Sequence, residues 1–307
     1  MQVNVQFVQK MLFYNYLYYY IYSMTKTLLN TKQVATLFKV DTSTVRRWSL
    51  NGKLNSSSSN GGHRKFTYKN IIDFINSKKR NLDLDLSEIN KISKKLSKKD
   101  TIDLISTNAL SRNHGMIESS LINLYLQGKP VQKIFDNYID KSLDFIQNLL
   151  DKNEISVAEE HIARKTISIA LNYFRSAIYS NDIERDKNAL CLNLENDIPD
   201  ISIDMIQISL EMKSYSVFNS GSNTSIKDLK TLLNKEKYDS MYIFMCDRQC
   251  CSSTVKNHME NTIRDLEHIN DLCSKYSIDL FIGGPATSLI DQQVSFKYNK
   301  FLKFSEI

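Results

Sequence analysis

Between Leu28 and Asn76 the apolar residues come in short groups at helical spacing, separated by polar breaks. Asn30 followed by Gln33 makes a capping-box-like start, and Val34, Ala35 and Phe38 then fall on one face of a first helix. Val40 and Asp41 interrupt the pattern. Asp41 suits the N-cap of a second helix from Thr42 to about Leu50, on which Val45 and Trp48 share the inward face. Trp48 is thereby assigned to the core. Asn51-Gly52 closes this helix, and Ser56 to Gly62 is a turn-forming run between two short extended pieces, which predicts a hairpin. Phe66 then plugs the core, and Tyr68 to Asn76 returns to helical spacing through Ile71, Ile72 and Ile75.

The pattern lengthens further along. Lys78 to Asp100 is lysine-rich without a convincing apolar face, and reads as a linker. From Thr101 to about Tyr179, Leu, Ile, Phe and Tyr recur at helical spacing, broken at Gly128-Lys129-Pro130 and Lys152-Asn153, which predicts a four-helix bundle. Strand and helix patterns then alternate: strand Ala189–Leu194, helix Ile201–Lys213, strand Ser214–Asn219, helix Ser225–Lys235, strand Met241–Met245, helix Thr254–Tyr276 and strand Leu280–Ile282. Such alternation builds a parallel, doubly wound sheet with its ligand crevice at the carboxyl ends of the strands. The expected fold class is therefore multidomain, α followed by α/β.

Charge changes this picture in one respect. The 307 residues carry a net charge of +6, but it is unevenly spread. Met24 to Arg80 holds twelve Lys and Arg against Asp41 and Asp73, a net of +10, whereas residues 81–307 carry 27 basic and 32 acidic side chains, a net of −5. A basic head on an acidic body confines nucleic-acid contact to the head. On its second helix, Thr42, Ser43, Thr44, Arg46 and Arg47 are apt for base edges and phosphates. His63, Arg64 and Lys65 follow the turn, where basic groups grip phosphates.

The order of helix, STVRRW recognition helix, glycine-containing wing, HRKF and third helix resembles the winged helix-turn-helix domain of MerR-type and excisionase-type regulators. That resemblance covers residues 28–76 and implies a sequence-specific transcription regulator on double-stranded DNA. Palindromic half-sites need a symmetric protein, so a homodimer or homotetramer is expected.

Two further stretches resemble cobalamin-binding regulators of the light-responsive MerR type. The run EISVAEEH matches the family's cap helix, with Glu160 and His161 in its Glu-His positions and Val157 before them. The family's capping tryptophan is Leu150 here, and a family glycine is Asn153. In the sheet domain the family's D-x-H-x-x-G is D-I-P-D-I-S: Asp197 is kept, the cobalt-ligating histidine is Pro199, and the glycine is Ser202. Gly221, Gly283 and Gly284 match family glycines that let the corrin approach the backbone. Each set also has a plain reading. A Glu-His pair in a bundle can be a hydrogen-bonded core pair, and glycines at strand ends serve tight turns. The resemblance implies a sensory and oligomerisation module of cobalamin-binding type that has lost its lower ligand and cap. The alternative is a working adenosylcobalamin-dependent, light-responsive repressor with another ligation mode.

The remaining expectations are bland. Five scattered cysteines without C-x-x-C read as reduced thiols, and no metal-ligand spacing or catalytic constellation argues for an enzyme. The Tyr-rich run MLFYNYLYYYIYSM is well short of the ~20 residues needed to span a bilayer, and residues 1–23 read as an upstream extension with the natural start at Met24. A cytoplasmic chain without a membrane partner is expected. The domain boundaries read as 24–80, a linker at 81–100, 101–183 and 184–307.

Overall fold

The structure, a computed structural model, describes residues 28–58, 61–67, 70–71, 74, 77, 96–179, 184–194, 201–246 and 258–307. The expectations for residues 1–23, for most of the linker, for Ile72 and Ile75, for Asp197 and Pro199, and for Cys250 and Cys251 lie outside them. The chain forms two compact units, one on the residues up to Leu96 with Ile122–Gly128 and one on Ser97–Leu121 with Lys129–Ile307.

In the amino-terminal unit, β1 (Leu29–Asn30) leads into α1 (Thr31–Leu37), and α2 (Thr42–Leu50) follows after a short turn. The Asn30 side chain accepts from the Gln33 amide while the Gln33 side chain accepts from the Asn30 amide, which is the expected capping box. The hairpin is tighter than the sequence suggests. Its first strand, β2 (Ser57–Ser58), starts inside the serine run and pairs antiparallel with β3 (Arg64–Phe66). β1 pairs with the other side of β3, placing Leu29 opposite Phe66, a strand the sequence reading missed. Val34, Leu37, Val45, Leu54, Phe66 and Ile71 are at most 1% exposed and form the small core.

The second unit begins at Ser97, inside the expected linker, where the Ser97 side chain accepts from the Asp100 amide and starts α3 (Lys98–Leu110). Then come α4 (His114–Leu126), whose residues from Ile122 count with the first unit, α5 (Val131–Ile134), a π-helical turn (Phe135–Ile139), α6 (Asp140–Asp151) and α7 (Val157–Ile178). The breaks at Gly128-Lys129-Pro130 and Lys152-Asn153 fall where expected. α5, the π turn and α6 run on as one helical rod, and α3, α6 and α7 pack on one another. Ser106, Ser142 and Thr166 are buried here, and each hydroxyl is satisfied by a carbonyl four residues back.

Five strands make the sheet: β4 (Lys187–Leu194), β5 (Tyr215–Thr224), β6 (Ser240–Phe244), β7 (Asp279–Gly283) and β8 (Asn299–Phe301). They are parallel, in the order β5-β4-β6-β7-β8, so the order reverses at β4. The expected doubly wound sheet is thus present, with one more strand than the four expected. Only three residues long, β8 has too little periodicity to stand out in sequence. Helices α8 (Ile201–Glu211), α9 (Ile226–Leu233), α10 (Met259–Tyr276) and α11 (Thr287–Ile290) connect the strands. β4 is buried from Ala189 to Leu194, as suits a central parallel strand covered on both faces. Among the described residues no helix is long and apolar enough to cross a membrane.

Candidate functional site

The amino-terminal site is built around α2. Asp41 caps it by accepting from the Ser43 amide at 2.7 Å, and this bond holds the Asp41 carboxyl below its ordinary value. The cap sets the helix so that Val45, fully buried, faces the core, while Ser43, Arg46 and Arg47 are exposed and Thr42 and Thr44 half-buried. Trp48 packs inward as expected, its ring centroid 5.6 Å from Phe38 and 4.6 Å from Phe74, so it anchors the helix from behind. Gly52, at φ +68°, turns the chain after α2.

Two contacts that sequence reasoning did not find tie the hairpin to this helix. The hydroxyls of Ser49 and Ser56 hydrogen-bond at 2.7 Å, and the amides of Lys53 and Leu54 both donate to the Trp48 carbonyl. A serine at each end of a G-x-L turn was the available signal. On the hairpin, His63 is exposed and Arg64 and Lys65 are half-buried. All eight residues singled out for DNA contact therefore belong to α2 or the hairpin that follows it, and Arg46, Arg47 and His63 are open to solvent. Beyond them, Thr67 and Asn70 cap each other reciprocally and start the third helix, on which Ile71 and Phe74 are buried.

The second set of candidate residues fares differently. Ser156 and Glu159 form a capping box at the start of α7, with the Ser156 amide and hydroxyl both donating to the Glu159 carboxylate at 2.7 Å. Those bonds lower the Glu159 pKa, the amide first. The EISVAEEH run is thus explained in part as a helix start. Glu160 is 1% exposed and ion-paired with Arg164, four residues along the same helix. His161 lies on the outside, its side chain 59% exposed and its Nε2 3.8 Å from the Glu160 carboxylate, so the pair does not form a hydrogen-bonded core couple. The Glu160 Oε2 is buried without a hydrogen-bond partner among the described residues. Val157 is 53% exposed and Leu150 half-buried. Asn153, in a glycine position of the resemblance, sits at φ +56°, a left-handed conformation that Asn tolerates better than most side chains.

Each glycine of the sheet domain has a backbone or packing reason. Gly221, at φ +73°, sits where the register of β5 against β4 shifts, and its amide donates to the Asn219 side chain. A Cβ on Gly283 would collide with the Phe301 ring, and one on Gly284 with the Met245 carbonyl. The room that these two glycines make is taken by the chain itself. Phe304 continues this filling: it is 5% exposed, lies parallel to Phe244 at 6.1 Å and meets Phe135 edge-on at 6.0 Å. The amides of Phe304 and Ser305 donate to Asp136 on the π turn. An F-x-x-F near the end of the sequence was the signal for this packing, and it was not used.

Beside it a cleft of about 690 Å³ runs between the rod and the carboxyl ends of β6 and β7. Lys133, Asp136, Asp140, Asp144 and Gln147 line one wall, and Phe244, Pro285 and Phe304 the other. Among the described residues that line it there is no histidine. Among the described residues no cluster of His, Cys, Asp or Glu could hold a metal ion, and Cys191, Cys246 and Cys273 are buried thiols. Burial pushes the Cys273 thiol up to about 12. His258 and His268 are exposed.

Polar contacts fix the bundle to the sheet. Arg175 on α7 makes two hydrogen bonds to the Glu211 carboxylate on α8, at 2.7 and 2.6 Å, and these raise the Arg175 pKa. Ser168 bonds Asp204, which also accepts from Asn219 on β5.

No curated protein sequence matches the chain. Among solved structures, the monomethylamine corrinoid protein of Methanosarcina barkeri superposes with a TM-score of 0.53 at 14% identity, over 68% of this chain and 96% of that one. The methanol:cobalamin methyltransferase complex of the same organism gives 0.31 at 15% identity, over 73% and 81%. A cobalamin-binding protein of Desulfitobacterium hafniense gives 0.30 at 12%, over 69% and 95%. At such identity the first likeness speaks for the fold alone. Residues 28–79 match the family model of a helix-turn-helix domain. The chain joins that domain to a carboxyl-terminal, Rossmann-like parallel-sheet domain that resembles cobalamin-binding domains.

Proposed function

We propose that the chain is a cytoplasmic transcription regulator of MerR type, which binds a double-stranded operator as a homodimer or homotetramer. The domain division at 24–80, 101–183 and 184–307 belongs to this reading. The observation that carries it is the placement of Arg46 and Arg47 on the exposed side of α2, opposite buried Val45 and next to the basic hairpin. A helix presented in this way reads the major groove with its first turns, and the hairpin grips flanking phosphates. The direct test is selection of a DNA site from a random pool, followed by titration of the selected duplex. Saturable binding that random competitor does not displace is expected; binding equal to that of random DNA would refute the reading.

The carboxyl-terminal domain serves here as a scaffold for self-association that no longer holds cobalamin through a protein imidazole below the cobalt. Two observations support this. Among the described residues no histidine lines the cleft at the carboxyl ends of β6 and β7, and Phe301 and Met245 occupy the space beside Gly283 and Gly284. In the resemblance, Pro199 takes the place of the ligating histidine, and proline offers no donor atom. The residues present do not fit that ligation mode.

One observation favours a second reading, in which cobalamin is bound otherwise. The buried Glu160 Oε2 lacks a partner among the described residues and lies near the exposed His161 imidazole. Mixing the purified protein with adenosylcobalamin in the dark, desalting, and recording the visible spectrum distinguishes the two. Colourless protein is expected. A red protein whose spectrum changes on illumination would select the second reading.

A further inference from the structure

The two edges of the sheet differ. β8 is three residues long and carries Lys300, and a short edge strand bearing a lysine is a common way to stop one sheet from pairing with another. The opposite edge, β5, has neither protection. It runs for ten residues, Tyr215–Thr224, and holds no charged residue and no proline. Its only strand partner among the described residues is β4. Pairing with β4 is regular from Tyr215 to Asn219 and shifts at Ser220, just before Gly221, so that Tyr215–Ser220 is an uncharged run along the outer edge, on which alternate residues turn their amides and carbonyls outward. Phe218 sits in the middle of that run, 38% exposed, and rests edge-on against Tyr238 at 5.2 Å.

We propose that Tyr215–Ser220 pairs antiparallel with the same segment of a second copy of this chain, joining two sheets across a two-fold axis near Phe218. A free strand edge is satisfied best by another strand, and an uncharged run of this length opposes itself without like-charge repulsion. A two-fold axis supplies one identical edge to each copy and leaves no third edge open, so the contact closes at a dimer. The choice of a second copy as occupant rests on the reading above, since two half-sites require two reading heads. β-Branched Val217 and aromatic Phe218 are residue types that strengthen cross-strand contacts.

The test uses the full chain. Sedimentation velocity at micromolar concentration is expected to give a mass near twice 35.6 kDa. Ser216→Lys and Phe218→Lys, which place a charge on the edge, should each give a folded monomer, judged by an unchanged circular dichroism spectrum. Their binding to a duplex with two half-sites should fall by roughly 10²-fold, with binding to a single half-site unchanged. Amide exchange checks the same contact without mutation: the amides of Tyr215–Ser220 should be slower in concentrated than in dilute protein. A monomeric parent chain, a dimer that persists in both lysine variants, or edge amides indifferent to concentration would each overturn the proposal. A dimer with the protected edge but no operator binding would leave it standing and refute the regulatory reading instead.

Discussion

The amino-terminal unit and the second unit each carry residues that resemble those of a known family, and the structure treats the two sets differently. In the head, residues that resemble DNA contacts lie on one helix and the adjoining hairpin, with Arg46 and Arg47 exposed and Trp48 and Val45 holding the helix from behind. In the second unit, residues of the bundle and the sheet that resemble cofactor contacts are engaged by the protein's own backbone and side chains. Gly221 accommodates a bulge, Gly283 and Gly284 accommodate Phe301 and a carbonyl, and Glu160 is bound by Arg164. A site made within one short stretch is specified by local spacing. A pocket made from distant segments can keep its glycines for folding after the ligand's space has been filled.

This contrast is tested most severely at Phe301, which is 3% exposed. Phe301→Ala should cost about 3–5 kcal/mol in urea denaturation, the usual range for emptying a buried phenylalanine site. Gly283→Ala should cost about 1–3 kcal/mol beside the intact ring and much less in a Phe301→Leu background. Additive losses would mean that the ring is not what the glycine accommodates. Arg175→Ala leaves Glu211, 5% exposed, without its bidentate partner and should cost about 3 kcal/mol, the lower end for a broken buried pair because Arg175 is one-third exposed. In the head, Arg46→Ala and Arg47→Ala should each weaken operator binding by about 1–3 kcal/mol, with a smaller salt slope where the lost contact is to phosphate. Unchanged affinity in both variants would show that α2 is not the reading helix.

The smallest effect is expected at Asp41. Its folded pKa lies below its ordinary value, so the cap stabilises the head above that value and loses its effect as pH falls through the lower, folded one. The melting temperatures of the parent and Asp41→Ala should therefore differ at neutral pH and converge in acid. A difference that persists at low pH would assign the effect to something other than the charged cap.

The sequence revealed the two units to different depths. Asn30, Gln33, Asp41 and Trp48 could be placed because caps and helical faces follow from residues three or four apart. The alternation of strand and helix revealed the doubly wound sheet for the same reason. β1 and β8 escaped because two or three residues have no periodicity, and the docking of Phe304 on Phe135 and Phe244 escaped because it joins positions far apart in the chain. The Ser156–Glu159 cap was legible but passed over, since its residues had already been absorbed into the cofactor resemblance.

The pairing of Leu29 with Phe66 has a consequence for the basic side chains of the hairpin. Side chains alternate along a strand, so sliding β3 by a single position would push Lys65 toward the interior and expel the aromatic ring. With neighbours on both flanks, the strand is locked like a key whose teeth fit only one ward. An oil-loving residue in the interior thereby sets the height at which the adjacent ammonium group stands.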